Sequence, residues 1–225
     1  MRRVGALYGS SVGKKIAMAL SGVILVLFVI FHLYGNLKAF YGPEVYNAYA
    51  EGLRAYGAPI FGHGHILWIL RIGLIAAATI HIVAAVQLVL RSNAARDAGY
   101  RKYENLAFSY ASRTMRWGGV IILLFVIYHL MHFTWGNAHP DFIPGDVYHN
   151  FVVGFRMWPV ALVYIAAMIP LGLHLYHGIW SMFQTLGANN PRFNRWRRPL
   201  AGAIATIIVL GNISFPIAVL TGIIA

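Results

Sequence analysis

The chain alternates between long apolar segments and short polar ones, and five of the apolar segments are long enough to cross a membrane. A run of ~20 apolar residues in a helix spans the ~30 Å hydrocarbon core of a bilayer. The five predicted spans cover roughly residues 16–37, 66–90, 117–136, 157–183 and 200–224. The alternating pattern of a membrane β-barrel is absent from the sequence. We therefore expect an all-α integral membrane protein in which residues 1–225 form a single transmembrane domain.

Composition and charge support this expectation. The chain is 59% hydrophobic and 11% charged, whereas about 25% of the residues of a soluble domain are charged. Its net charge of +12 would suit nucleic acid, but the lysines and arginines are concentrated before span one, between spans two and three, and between spans four and five. By the positive-inside rule, this distribution predicts a cytoplasmic N-terminus in the cell's inner (cytoplasmic) membrane. The predicted surroundings are lipid, and no nucleic-acid partner is expected.

Two features of the sequence exclude other interpretations. The first apolar segment follows four basic residues, as in a cleavable signal peptide, but it is longer than the apolar region of such a peptide and contains His32. We therefore expect it to be retained as a span. The chain has no cysteine, which excludes disulfides, a cysteine-ligated iron–sulfur cluster and a covalently attached c-type haem.

Four of the predicted spans carry a histidine at hydrocarbon depth, where an imidazole is costly unless it is bonded. At ~1.5 Å per residue, His32 and His129 lie about 18–24 Å from the inner side of their spans, and so near the outer face. His81 and His174 lie about 22–24 Å from the outer side of theirs, and so near the inner face. The four side chains therefore form two layers of two.

Two imidazoles that face each other across a helix bundle suit the two axial positions of a haem iron. A single buried histidine is more often a hydrogen-bonded core residue, but four histidines at two matched depths favour two b haems. We expect His32 and His129 to ligate an outer haem, and His81 and His174 an inner haem. Zinc would need about four protein ligands. A proton path through paired histidines remains an alternative.

The other six histidines are expected to have lesser roles. His132 and His177 each follow a predicted ligand by three residues, so they share its helix face and lie nearer the membrane surface. A ring nitrogen there can reach water or a haem propionate. Interfacial hydrogen bonding is the preferred interpretation for all six, which also include His63, His65, His139 and His149.

The histidine-bearing segments resemble those of the cytochrome b membrane anchors of succinate:quinone oxidoreductases. The resemblance is to the single-subunit, five-helix, di-haem type, which is shared with quinol:fumarate reductases. The matching segments are FHLYGN around His32, TIHIVAAVQL around His81, IYHLMHF around His129 and LHLYHGIWSMFQTLG around His174. The resemblance implies that the first ligand pairs with the third and the second with the fourth, and it favours His174 over His177 as the ligand.

The resemblance also implies a function and partners. The chain would be the membrane anchor of respiratory complex II, which links the tricarboxylic acid cycle to a membrane quinone, here of the menaquinone type. Its partners on the cytoplasmic face would be a flavoprotein that oxidises succinate at FAD and an iron–sulfur protein. Some fumarate reductases of this class carry an acidic residue inside helix four for proton transfer. Residues 169–173 are Ile-Pro-Leu-Gly-Leu here, so we do not expect that path.

Basic residues near the two layers are candidates for holding haem propionates, because a carboxylate at this depth needs a hydrogen bond or an ion pair. The candidates for the inner haem are Lys14, Arg91, Arg113 and Arg116. Those for the outer haem are Arg71 and the tyrosines of the outer loops. His132 and His177 are further candidates at the haem edges. Interfacial snorkelling is the alternative interpretation of the arginines.

Quinone chemistry moves two protons with two electrons, so we expect a protonatable group beside the quinone head-group. The resemblance implies a site near the outer haem with a carboxylate in the first outer loop. We prefer Glu51 to Glu44, because Glu51 lies nearer to span two and His63, and we expect Arg54 to lower its pKa. A solvated carboxylate, or a second quinone site beside the iron–sulfur protein, remains an alternative.

Other functions fit parts of the pattern. A quinol:fumarate reductase anchor would use the same sites in the opposite direction. A haem-free, proton-coupled transporter would use the histidines to carry protons, but no Asp or Glu lies in the middle of a predicted span. The cytochrome b of a hydrogenase or formate dehydrogenase also has histidines on several helices, but the segment around His174 fits that class poorly.

Overall fold

The computed structural model describes residues 8–95 and 110–225, and for residues 110–114 the backbone alone. This part of the chain is helical and contains no strand. The long helices are α1 (Ser11–Asn36), α3 (His65–Ala94), α4 (Tyr110–Phe133), α6 (Trp158–Thr185) and α7 (Pro191–Leu220). The short helices are α2 (Pro43–Ala55) and α5 (Val147–Arg156), and a 3-10 helix, Leu37–Tyr41, follows α1.

The five long helices are each long and apolar enough to cross a membrane. This confirms the prediction of an all-α membrane protein with five spans. The two short helices lie in the loops that follow α1 and α4. Which way the bundle faces in the membrane stays a prediction.

The last helix begins earlier than the apolar pattern predicts. The Asn190 side chain accepts a hydrogen bond from the Phe193 N–H at 3.1 Å, and Pro191 is the first residue of α7. A side-chain acceptor before the helix and a proline at its first position are both typical of a helix start. The helix therefore begins at Pro191 instead of near residue 200, and it continues through Pro199.

Helix α6 lies at the centre of the bundle. It packs against α7, α4 and α1, while α3 packs mainly against α1. Small residues allow the helices to approach closely: Ala161 of α6 and Ala201 of α7 are fully buried, and Gly172 faces Val209. Helices α3 and α4 bury the least of their surface inside the chain, which leaves faces for lipid, cofactor or partner subunits.

The two ends of the bundle are built differently. We name the end that carries α2 and α5 the outer end, after its predicted orientation, and the end that carries the start of α1 and the α6–α7 turn the inner end. At the outer end, the Asn47 amide donates to the Asp146 carboxylate at 2.9 Å and accepts from the Tyr148 N–H at 2.9 Å. The Tyr46 hydroxyl donates to the Asn36 side chain at 2.8 Å. These bonds tie α2 and α5 together and anchor α2 to the end of α1.

Candidate functional site

The structure brings the four span histidines together in two pairs. His32 of α1 faces His129 of α4, with ring centroids 5.8 Å apart and ring planes at 89°. His81 of α3 faces His174 of α6, with ring centroids 6.1 Å apart and ring planes at 58°. Each pair joins two different helices, so it can hold a group that lies between them.

The two pairs lie at different depths because of where each histidine stands in its helix. His32 and His129 stand about four residues before the ends of α1 and α4, or ~6 Å from the outer end of the bundle. His81 and His174 stand about 16 residues after the starts of α3 and α6, or ~24 Å from the same end. The pairs are therefore separated along the bundle axis by on the order of 18 Å. We name them the outer pair and the inner pair.

His81 of the inner pair is held by the backbone of α1. Its Nδ1 lies 3.0 Å from the Met18 carbonyl oxygen. A carbonyl only accepts hydrogen bonds, so Nδ1 carries the proton and Nε2 keeps its lone pair. Gly22, one turn further along α1, makes room for the ring, since a Cβ there would already lie 3.4 Å from it.

His174 of the inner pair borders an apolar cavity between α4 and α6. The cavity has a volume of about 660 Å³, and its lining includes Gly118, Phe125 and Tyr128 of α4 and Pro170 of α6. Nδ1 of His174 is buried and has no hydrogen-bond partner among the described residues. A large apolar cavity with an imidazole at its wall is the kind of site that binds a flat apolar group.

His129 of the outer pair is connected through Tyr164 to another histidine of α4, His132. The Tyr164 hydroxyl of α6 lies 3.4 Å from His129 Nδ1 and 3.0 Å from His132 Nδ1. His132 is fully buried, whereas the sequence led us to expect a histidine near the membrane surface. Its Nε2 has no partner in the described part of the chain.

His132 is buried because α5 covers it. Its ring stacks on Tyr128 at 5.7 Å and lies 4.9 Å from the ring of His139. Gly154 of α5 approaches so closely that a Cβ there would be 2.8 Å from His132 Cε1. The role of Tyr164 was missed from the sequence, although a tyrosine inside an apolar span is a signal that its hydroxyl needs a partner.

The predicted propionate candidates at the inner end include one buried cation. Lys14 is only 6% exposed, and its Nζ donates to the Gln87 side-chain oxygen at 2.6 Å. Arg91 is exposed and donates to the Gly9 carbonyl at 2.8 Å. Both links join the start of α1 to the end of α3, which is the end of the bundle nearer to the inner pair.

The remaining candidates are exposed, half-buried, or among the residues whose side chains the structure does not describe. Arg116 and Arg71 are exposed, and the Arg71 guanidinium lies 5.1 Å from the Trp68 ring. Arg113 lies among the residues whose side chains are not described. His177 is half-buried and stacks on Trp180 at 5.4 Å. Among the described side chains, the structure brings neither Arg71 nor Arg116 into a hydrogen bond or ring contact with a paired histidine.

Glu51 lies on α2, exposed at the outer end. His63 Nε2 lies 2.7 Å from one carboxylate oxygen, and Arg54 donates to the other at 3.4 Å. The hydrogen bond with His63, helped by the charge of Arg54, holds the pKa of Glu51 below its usual value. The sequence pointed to Arg54 as the neighbour that lowers this pKa, and the structure adds His63 as the larger cause.

The family model described as Succinate dehydrogenase/Fumarate reductase transmembrane subunit matches residues 91–213. The match covers more than half of the 225 residues. The chain belongs to this family. The matched part includes one histidine of each pair, His129 and His174. Searches of curated proteins and of solved structures find no match.

As a succinate dehydrogenase/fumarate reductase transmembrane subunit, the chain is a multi-pass membrane protein and the anchor of an oxidoreductase complex. Family membership implies association with the flavoprotein and iron–sulfur subunits of that complex, and a part in electron transfer. These broad predictions from the sequence are confirmed. The haems, the quinone site and the direction of turnover stay predictions.

The residues of this transmembrane subunit fit the haem b that its family is associated with. Two imidazoles bound end-on to opposite sides of one metal, with metal–nitrogen bonds of about 2 Å, have ring centroids roughly 6 Å apart. The two pairs have centroids at 5.8 and 6.1 Å. The apolar cavity beside His174 offers room for a flat apolar group next to the inner pair.

Proposed function

We propose that the chain is the cytochrome b subunit of a succinate:quinone oxidoreductase of the single-subunit, five-helix, di-haem type. It relays electrons from the iron–sulfur subunit to a membrane quinone. The observation that carries this proposal is the pairing of four span histidines, at two depths, with the centroid separation that one metal between two imidazoles requires. The whole chain acts as one transmembrane domain.

We assign His32 and His129 to the outer haem and His81 and His174 to the inner haem. A b haem with two histidine ligands supplies one-electron transfer and has no open iron position for O₂. The protein holds each pair of imidazoles from two helices and keeps water away with apolar side chains. The bond from His81 Nδ1 to the Met18 carbonyl leaves Nε2 as the nitrogen that binds iron.

The inner end is proposed to face the cytoplasm and to bind the flavoprotein and iron–sulfur subunits. The described basic residues that the positive-inside rule places in the cytoplasm lie at this end, among them Lys14 and Lys15 of α1, Arg91 of α3 and the arginines in the first turns of α7. The inner pair is then nearer to the iron–sulfur subunit and the outer pair nearer to the opposite face. Succinate oxidation is the proposed direction, and fumarate reduction by the same anchor is the alternative.

Lys14 is the strongest candidate for a propionate of the inner haem. A buried ammonium group is costly without a counter-charge, and the partners that Lys14 has among the described residues are both neutral: the Gln87 side-chain oxygen and the Tyr8 ring, 4.1 Å from Nζ. Arg91, Arg113 and Arg116 stay weaker candidates at the same end. At the outer haem, we keep Arg71 and His132 as candidates, and His177 at the edge of the inner one.

Glu51 is proposed as the proton-exchanging group of a quinone site at the outer end. Its hydrogen bond with His63 gives the carboxylate a second titratable group at 2.7 Å, through which a proton can pass to the outside. The proposed quinone is of the menaquinone type. A quinone site beside the iron–sulfur subunit stays the alternative.

A redox-titrated absorption spectrum of the purified complex tests the proposal. The expected result is two b-type haems per copy of this chain, both reduced by succinate through the partner subunits. A colourless chain would refute the cytochrome function and favour the proton-coupled transporter. Two haems reduced by quinol but not by succinate would favour the fumarate reductase direction.

A further inference from the structure

Tyr164 is placed to act on the outer pair although it lies on the helix that supplies a ligand to the inner pair. Its hydroxyl lies between two imidazoles of α4, 3.4 Å from His129 Nδ1 and 3.0 Å from His132 Nδ1. Tyr164 is 7% exposed. A buried phenol hydroxyl needs a hydrogen-bond partner, and both partners here are histidine nitrogens.

Aromatic rings hold the tyrosine in place. Phe125 and Phe155 lie edge-on to its ring at 5.0 Å each, and Phe133 lies at 5.6 Å. The hydroxyl cannot leave the two histidines without moving these rings, because protein interiors are closely packed. The packing of these rings therefore fixes the position of the Tyr164 hydroxyl relative to His129.

We infer that Tyr164 is a positioning residue for the outer haem, which fixes the orientation of His129 and tunes its strength as an iron ligand. This inference rests on the proposed ligation of that haem by His129. The phenol occupies the Nδ1 side of the ring, which leaves Nε2 for the iron. Partners of this kind fix the tautomer of a ligating histidine and raise its basicity.

Ligation through Nε2 also sets the direction of the hydrogen bonds. His129 Nδ1 then carries the proton and donates to the Tyr164 oxygen, and the Tyr164 hydroxyl donates to His132 Nδ1. His132 must therefore carry its own proton on Nε2, the atom that has no partner among the described residues. The second bond strengthens the first, because a hydroxyl that donates becomes a better acceptor.

Helices α1 and α6 each supply a histidine to one pair and a hydrogen-bond partner to a histidine of the other pair. Helix α1 supplies His32 to the outer pair, and its Met18 carbonyl holds His81 of the inner pair. Helix α6 supplies His174 to the inner pair, and its Tyr164 holds His129 of the outer pair. In each pair, one imidazole is oriented by the helix that provides a ligand to the other pair.

The test is a potentiometric titration of both haems in the full complex, with Tyr164→Phe compared with the wild type. The ring is kept and the acceptor for His129 is lost, so the oxidised haem is stabilised less. We expect both haems to be retained, the midpoint potential of the outer haem to shift upward, and that of the inner haem to stay unchanged. The outer haem is identified as the one that His129→Ala removes.

Tyr176→Phe is the matched control. Tyr176 lies on the same helix as Tyr164, with its ring next to Gly202 of α7, where a Cβ would be 3.9 Å from it, and its hydroxyl has no hydrogen-bond partner among the described residues. We expect this variant to leave the midpoint potential of the outer haem unchanged. An equal upward shift of that potential in Tyr176→Phe would mean that loss of any tyrosine hydroxyl on α6 is sufficient, and this would overturn the inference.

A second variant covers the case in which Tyr164→Phe does not assemble. His132→Leu leaves the Tyr164 hydroxyl without its acceptor, so we expect a smaller upward shift of the outer haem alone. Two bound haems with unchanged potentials, in whichever of these two variants assembles, would overturn the role of Tyr164 but leave the proposed function intact. Absence of haem from the wild-type complex would instead refute the proposed function itself.

Discussion

The outer and inner histidine pairs have nearly the same centroid separation, but the protein supports them differently. His129 of the outer pair is bonded to a side chain, the Tyr164 hydroxyl, whereas His81 of the inner pair is bonded to a backbone carbonyl, that of Met18. A side-chain partner can be deleted by one substitution, and a backbone partner cannot. The outer site is therefore open to tuning by residue identity, while the inner site depends on how closely α1 approaches α3.

The two pairs also differ in the polarity of their surroundings. The outer pair lies beneath α2 and α5, where polar side chains such as Asn47 and Asp146 join the loop helices. The inner pair lies deep in the bundle beside an apolar cavity, with Lys14 as the buried cation at that end. The surroundings at the outer end are thus the more polar, and those of the inner pair the more apolar.

The largest expected effect is at the inner pair, through Gly22→Leu. A Cβ at residue 22 is already in contact with the His81 ring, so a longer side chain pushes the ring or separates the helices. Overpacking of this kind costs about 1–3 kcal/mol. We expect loss of most of the inner haem with the outer haem retained, measured by haem quantification of the purified complex.

Gly73→Leu is the control for that prediction. Gly73 lies on α3 with His81, and a Cβ there meets nothing within 4 Å. This variant should bind both haems normally. A full complement of inner haem in Gly22→Leu would show that close approach of α1 does not hold His81, and the contrast between the two sites would then be wrong.

The next largest effect is at the outer end, through Glu51→Gln. A positioned proton-transfer group contributes ~10²-fold or more to a rate, so we expect turnover with quinone to fall at least about tenfold. Both haems should be retained, as should succinate oxidation with a soluble dye that accepts electrons before this subunit. Glu44→Gln, at the other exposed carboxylate of α2, is the control. Full quinone activity in Glu51→Gln would shift the search to the inner end.

The smallest expected effect concerns the loop helices over the outer pair. Asp146 caps α5 by accepting from the His149 N–H at 3.0 Å, and it also accepts from Asn47. Loss of such a cap costs about 0.5–2 kcal/mol. We expect Asp146→Ala to lower the Tm of the purified chain slightly at neutral pH, whereas Asp141→Ala, at a more exposed carboxylate that caps no helix, should lower it less.

The Asp146 effect should depend on pH in a defined direction. The hydrogen bonds from His149 N–H and Asn47 hold the pKa of Asp146 below its ordinary 3.8. Its stabilising contribution is therefore complete above pH 3.8 and is lost as the pH falls through the lowered pKa. The Tm difference between the wild type and Asp146→Ala should shrink only in that acidic range. A difference that disappears near neutral pH would contradict this assignment.

Much of the fold could be predicted from the sequence because a membrane span needs a long apolar run and a helix has a constant rise per residue. Five long apolar runs predict five spans, and a constant rise per residue predicts which histidines share a depth. The structure brings together the same pairs, His32 with His129 and His81 with His174.

The rest depends on tertiary contacts that no local pattern encodes. The Met18 carbonyl reaches His81 because α1 and α3 pack closely, and Tyr164 reaches His129 because α6 crosses α4 at that depth. The burial of His132 depends on where α5 folds back, and the bond between Glu51 and His63 depends on the path of the loop between them. Such contacts are set by how helices and loops approach each other, and not by spacing along the chain.

Haem quantification with redox titration of the four single variants His32→Ala, His81→Ala, His129→Ala and His174→Ala tests the central claim most directly. The account predicts that every variant keeps one haem, that His32→Ala and His129→Ala lose the same component, and that His81→Ala and His174→Ala lose the other. His177→Ala should keep both haems. Loss of the same component from His32→Ala and His81→Ala, or two haems retained in any of the four variants, would contradict the account.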